Sequence, residues 1–210
     1  MIKKYKHISF DLDGTLVHTA PEYRYKIVPE VVEKLGGNID NTHSIDRFWF
    51  ESGRDVVIKN NFCLEPAVFW KLFRELDLPE KRGEFTFSYD DAEPAIRRLK
   101  ELGKAVSIVT GAPHNIAEIE IKKLNGAPHD FYLSIADSKF GEKPEPESLH
   151  YVIEKLNHKP EETLYIGNSN EDAYYAKNAD VDFIYLERKE HKFDLKDYTI
   201  ATINSLTDLF

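Results

Sequence analysis

The chain has 210 residues, a formal net charge of −9 and 41% hydrophobic residues, enough for one large domain or a domain with a smaller insertion. The acidic balance argues against nucleic acid as the main partner, and no apolar run approaches the roughly 20 residues that cross a membrane. The single cysteine, Cys63, excludes an internal disulfide, fits a reducing cytoplasm and reads as a small buried hydrophobe.

In chain order, residues 1–6 are basic but run into His7 and an acidic motif, which does not fit a signal peptide. The apolar run 6–10 reads as a buried strand and stops on Asp11 and Asp13, followed by a Gly-Thr turn. Residues 19–88 show helical patterns without a strong strand: 22–35 repeats Ile27, Val28, Val31, Val32 and Leu35, while 44–50 and 66–78 are rich in Phe and Trp. This block is expected to be an inserted helical cap domain, leaving 1–18 and 89–210 as the core domain. Strand and helix then alternate: helix 92–102, strand 105–109, helix 115–124, strand 131–135, helix 146–156, strand 163–166, helix 170–178, strand 183–186. A weaker run at 198–203 is expected as an edge strand, with a short helix over 205–210. Such alternation implies right-handed crossovers and an α/β fold, a three-layer Rossmann-like parallel sheet covered on both faces.

Sites in open α/β sheets form outside the carboxyl ends of the strands. Four polar clusters stand at or just after expected strand ends. Asp11 and Asp13 are one residue apart at a strand tip, so both carboxylates can converge; like charges that close call for a divalent cation or a shared proton. Thr110-Gly111 follows the second core strand, where a hydroxyl and approachable backbone N–H groups can bind a phosphoryl oxygen. Lys143, before Pro144, can neutralise a phosphate. Gly167-Asn168-Ser169-Asn170-Glu171-Asp172 can supply oxygen ligands to a hard cation, or simply cap a helix, or both. Taken singly, Thr110-Gly111 reads as an ordinary turn and Lys143 as a solvated lysine; their shared placement carries the signal.

These four motifs, in this order, resemble those of the haloacid dehalogenase (HAD) superfamily, in the phosphatase type with a helical cap (phosphoglycolate phosphatase-like). The resemblance implies a cytoplasmic, Mg2+-dependent phosphoric monoester hydrolase acting on a small phosphorylated metabolite, as a monomer or homodimer. It implies that Asp11 attacks phosphorus to give an aspartyl-phosphate and that Asp13 acts as general acid and then base. Thr110, Gly111 and Lys143 would hold the phosphoryl group. Mg2+ would rest on Asp11, the carbonyl of Asp13, Asn168 and Asp172. An acid at Asp13 favours phosphate chemistry over carbon–halogen cleavage. Asn168 departs from the family pattern, where an acid is usual, so weaker cation affinity is expected. Alternatives are a phosphosugar mutase of the same superfamily and a non-catalytic binding protein that kept the fold.

Within the cap, Glu51-Ser-Gly53-Arg54-Asp55 reads either as an inward loop whose Arg54 grips a second anionic group of the substrate, or as a solvated helix face with an Arg–Asp pair. Phe48, Trp49, Phe50, Phe69, Trp70 and Phe73 are expected as cap core. His7 and His129 are expected to be structural, His18 a surface loop residue with a hinge role as the alternative, and His114 a neighbour of the site.

Overall fold

From Ala105 to Asn178 the chain alternates strand and helix, so that each of these strands is followed by a helix that packs back on the sheet. The computed structural model describes residues 1–51 and 53–210. The elements are β1 (His7–Phe10), β2 (Val17–Thr19), α1 (Pro21–Lys34), α2 (Thr42–Phe50), α3 (Arg54–Asn61), α4 (Pro66–Leu76), α5 (Pro79–Gly83), β3 (Thr86–Ser88), α6 (Ala92–Glu101), β4 (Ala105–Thr110), α7 (His114–Lys122), β5 (Phe131–Ser134), α8 (Glu147–Lys155), β6 (Thr163–Gly167), α9 (Asn170–Asn178), β7 (Asp182–Leu186) and β8 (Ala201–Ile203). The main sheet has six parallel strands in the order β5-β4-β1-β6-β7-β8, and β2 pairs with β3 in a separate two-stranded sheet. No described helix is long and apolar enough to cross a membrane.

The period of two along each strand builds two cores. Ile8, Phe10, Val106, Ile108, Leu164 and Ile166 face one side, where Ile96 and Leu99 of α6 pack. Val109, Tyr165, Phe183 and Tyr185 face the other, against Leu149 and Val152 of α8 and Ala176 of α9. Sheet and two helical layers form the expected three-layer α/β architecture.

The chain divides into two compact units, Met1–His18 with Phe87–Phe210, and Thr19–Thr86. The second is helical, with a core of Val28, Val31, Phe48, Ile58, Phe62 and Phe69. Phe48 meets Phe62, Phe69, Trp70 and Phe73 at ring-centroid distances of 5.8, 5.1, 5.4 and 5.6 Å. Phe48, Phe69 and Phe73 therefore lie in this unit's core, with Trp49 and Trp70 partly buried at its edge; Phe50, also expected there, is half-buried outside it, its ring 4.8 Å from the Arg24 guanidinium carbon.

Several elements differ from the sequence expectation. Arg54 opens α3, preceded by Gly53 at φ +79°, where the sequence left a loop open as one reading. Ser52 of that segment lies outside the described residues. β2 and β3 have three residues each, too few for any periodicity to register. The edge strand begins at Ala201, because Lys196–Tyr198 forms a 3-10 turn. Cys63 is exposed, not buried: it follows the C-cap of α3 with φ 56°, the helix-ending position that glycine usually takes, which turns its side chain outward. His18 lies within β2, partly buried against Tyr89 and Phe87 at 4.8 and 5.9 Å, so it is not a surface loop residue.

Candidate active site

Asp11 follows β1 directly, and its N–H still donates to Ile166 O of β6 at 2.9 Å. The chain then turns sharply: Thr15, Leu16 and Val17 all donate N–H groups to Leu12 O. Gly14, at φ +78°, allows that turn. The turn places Thr15 Oγ1 3.1 Å from Asp11 Oδ2, to which it donates. Asp13 sits on the turn, in a bridge to Val17, and is partly exposed.

Lys143 comes from the loop after β5 and is almost fully enclosed. Its Nζ donates to Asp11 Oδ1 at 2.7 Å and to Asp172 Oδ1 at 2.9 Å. The rings of Tyr165 and Tyr175 lie 5.4 Å from the same ammonium. Asp172 belongs to the first turn of α9 and closes a capping box with Ser169. Its Oδ2 accepts from Ser169 Oγ at 2.7 Å and from the N–H groups of Asn168 and Ser169 at 3.2 Å each. Its Oδ1 also accepts from the Tyr165 hydroxyl at 3.3 Å. Gly167 makes this possible, since a Cβ there would come within 2.5 Å of Asp172 Cγ.

Two carboxylates thus share one buried ammonium, and their protonation diverges. Burial, reinforced by the Asp172 charge, pushes the Asp11 carboxyl up to about 7 despite the pull of Lys143. Burial acts on Asp172 in the same sense but is outweighed by Lys143 and the Ser169 hydroxyl, so its pKa falls below the ordinary value. Lys143 is held well above the usual lysine range, since the two carboxylates overcome the cost of its burial. The negative charge concentrates on Asp172 and the removable proton on Asp11.

Thr110 ends β4, beside β1 in the sheet, and is buried. Its Oγ1 accepts from Ala112 N at 3.1 Å, a bond that leaves the hydroxyl proton for another acceptor. Gly111 is exposed, and a Cβ there would meet nothing within 4 Å. Asn168 follows β6 and is 3% exposed, yet its Nδ2 is buried without a hydrogen-bond partner. His114 is exposed at the start of α7, and its N–H donates to Asp137 at 2.5 Å. His7 is enclosed in the sheet, bonded to Thr163 Oγ1 at 3.2 Å and Ser107 Oγ at 2.8 Å, the structural role expected of it. In the helical unit, Arg54 Nη2 donates to Trp49 O at 3.4 Å, and Asp55 accepts from Trp70 Nε1 at 2.7 Å.

Sequence reasoning passed over the loop after β7. Arg188 makes a two-pronged pair with Asp91 at 3.0 and 2.6 Å, donates to Thr15 O at 3.1 Å and lies 3.8 Å from the Tyr89 ring centroid. Glu190 accepts from the Tyr89 hydroxyl at 2.8 Å. The signal was present: Glu187-Arg-Lys-Glu190 is a polar run just past a strand end, placed like the other four clusters.

The donor set bears on a cation. Among the described residues, no group of three or more His, Cys, Asp and Glu gathers as a metal cluster. A cation would therefore depend on fewer carboxylates together with neutral oxygens. Asp172 spends both oxygens on protein partners, whereas Asn168 presents an orphaned amide beside Gly14: a Cβ on Gly14 would lie 2.1 Å from Asn168 Nδ2. The amide therefore packs directly against the bare Gly14 backbone, and only its oxygen, brought there by a half-turn of the group, would suit a small hard cation.

Comparison with known proteins bears on the family and the fold. Residues 5–180 match the model of the haloacid dehalogenase-like hydrolases. A phosphoglycolate phosphatase of Colwellia psychrerythraea is 28% identical over 194 residues, covering 84% of this chain and 82% of the relative. A protein of Bacteroides fragilis described as a haloacid dehalogenase-like hydrolase superposes with a TM-score of 0.80 at 23% identity, covering 98% of this chain and all (100%) of its own. A HAD phosphatase from Thermococcus onnurineus gives a TM-score of 0.71 at 24% identity, covering 97% and 95%. The two solved structures speak to the fold, while the match over 5–180 decides the family: the chain belongs to the haloacid dehalogenase-like hydrolases.

Proposed function

We propose that this hydrolase is an Mg2+-dependent phosphatase of a small phosphorylated metabolite, phosphoglycolate-like in class, working through an aspartyl-phosphate on Asp11. The observation that carries the reading is the buried Asp11–Lys143–Asp172 chain at the rim of the sheet. An ammonium clamped by one carboxylate beside a second, nucleophilic one is suited to receive a dianionic phosphoryl group and fix it for in-line attack.

In the first half-reaction an Asp11 oxygen bonds to phosphorus as the bond to the leaving oxygen breaks, and Asp13 gives that oxygen its proton. In the second, Asp13 takes a proton from water as the water oxygen attacks phosphorus, releasing phosphate and regenerating the Asp11 carboxylate. Lys143 and the Thr110 hydroxyl bind phosphoryl oxygens, and Lys143 offsets charge that builds in the transition state. Asp172, with its oxygens already spent, serves to hold Lys143 rather than to ligate a metal. Asp11, the carbonyl of Asp13 and the Asn168 amide are the groups that would hold Mg2+, which when bound neutralises phosphoryl charge and keeps Asp11 ionised near neutral pH.

Hydrolysis of an aryl phosphate with and without Mg2+, followed by a panel of phosphorylated metabolites that includes 2-phosphoglycolate, tests the reading. Cation-dependent turnover is expected, lost in Asp11→Asn. Full turnover in Asp11→Asn would overturn it.

A further inference from the structure

The fourth cluster carries Asn168 where an acid would put a charge on a cation. A dication held by Asp11 and neutral oxygens meets a single formal charge, and the affinity of a hard-cation site follows the number of charged ligands. A second carboxylate stands beside Gly14. A Cβ on Gly14 would lie 2.1 Å from Asn168 Nδ2, 3.1 Å from Asn168 Cγ and 3.0 Å from Glu190 Oε2. The missing side chain therefore lets the Asn168 amide and the Glu190 carboxylate both close on the same face of Gly14.

Glu190 is held in this position. Its Oε1 accepts from the Tyr89 hydroxyl at 2.8 Å, and the Tyr89 ring lies 3.8 Å from the Arg188 guanidinium carbon. Arg188 in turn donates to Thr15 O, in the same turn as Gly14. The loop after β7 is thus bound to the turn after β1. The Asn168 amide completes the picture. A half-turn of that amide exchanges the orphaned Nδ2 for Oδ1 and converts an unsatisfied donor into an oxygen ligand.

We propose that Glu190 supplies the negative charge absent at Asn168, and that Glu190, Asn168 and Asp11 together form the divalent-cation site around Gly14. This inference rests on the phosphatase reading above and relocates one of its acids from the loop after β6 to the loop after β7.

The test is calorimetric titration of the chelator-treated protein with Mg2+ and with Mn2+, read independently of turnover. In Glu190→Gln, whose amide oxygen still accepts from Tyr89, affinity is expected to fall by about tenfold or more. Asn168→Asp should bind more tightly than the native chain. The double variant Asn168→Asp with Glu190→Gln should return to within about threefold of native affinity, because one acid replaces the other. The melting temperature of each cation-free variant checks that the fold is kept. Native-like affinity in Glu190→Gln, with the native chain binding the cation and hydrolysing aryl phosphate, overturns this inference alone. A native chain that neither binds the cation nor hydrolyses the ester overturns the phosphatase reading as well.

Discussion

Asp172 and Asn168 lie four residues apart, at the start of α9 and just after β6, and their surroundings are opposite. Asp172 is saturated: Lys143, Tyr165, Ser169 and two backbone N–H groups share its oxygens. Asn168 is equally buried, yet its amide nitrogen has no partner. A saturated carboxylate holds geometry and has no spare lone pair for a ligand; an orphaned buried amide costs folding free energy that persists in a native structure for a reason. On the phosphatase reading proposed above, the difference divides the site into a Lys143 side that fixes the phosphoryl group and a Gly14 side that takes the cation.

Breaking the saturated side has the largest expected effect. Lys143→Met leaves Asp11 and Asp172 facing each other without a cation between them, so turnover should fall by at least about a thousandfold. Loss of one partner from a buried ionic group costs about 3–5 kcal/mol when the remaining charge cannot escape. Here protonation of the carboxylates relieves it, so the drop in melting temperature should be small at pH 5 and grow toward pH 8. A drop independent of pH would contradict the shared-ammonium description.

A gentler substitution sharpens the same contrast. Asp172→Asn keeps the shape but weakens the clamp on Lys143, and kcat/KM should fall by about 10–100-fold, the scale seen when a group that orients another is lost. Cation affinity should change little, measured by the same calorimetry used for Glu190. A parallel collapse of cation binding would restore Asp172 as a metal ligand.

The smallest expected effect lies at the other end of β1. Burial holds His7 down to about 3, with the neighbouring His158 adding to it. The unfolded chain takes up a proton below about 6.5 that the native His7 refuses, so this residue makes stability fall as pH drops through that window, by about 2 kcal/mol at pH 5. Asp11, raised to about 7, works in the opposite sense between its ordinary value and that pH. The His7 contribution is therefore the difference between the native chain and His7→Asn in denaturant unfolding at pH 7.5 and pH 5. Equal pH dependence in the two proteins would contradict it.

The sheet and four site clusters were legible in the sequence because period and polarity change together at each strand end, as at Phe10-Asp11 and Val109-Thr110. Lys143 was legible as a residue but not as a hub: nothing local indicates that its ammonium lies between carboxylates 132 and 29 residues away. Glu190 stands in a charged run whose place after a strand end was a signal, but which of its residues would matter was not legible, because its position depends on Tyr89 and the bare Gly14, contacts formed only by folding. In the helical unit the aromatic spacing revealed a core, whereas Gly53 and Arg54 did not reveal the start of α3, since a lone glycine marks a turn and a helix start equally well.

The central claim is that Asp11 becomes transiently phosphorylated. The most direct measurement mixes enzyme with saturating substrate, quenches in acid within the first turnovers and maps the peptides by mass. The expected result is a phosphoryl adduct on the peptide that carries Asp11, absent in Asp11→Asn. Steady turnover with no adduct at any quench time, together with undiminished hydrolysis by Asp11→Asn, would contradict it.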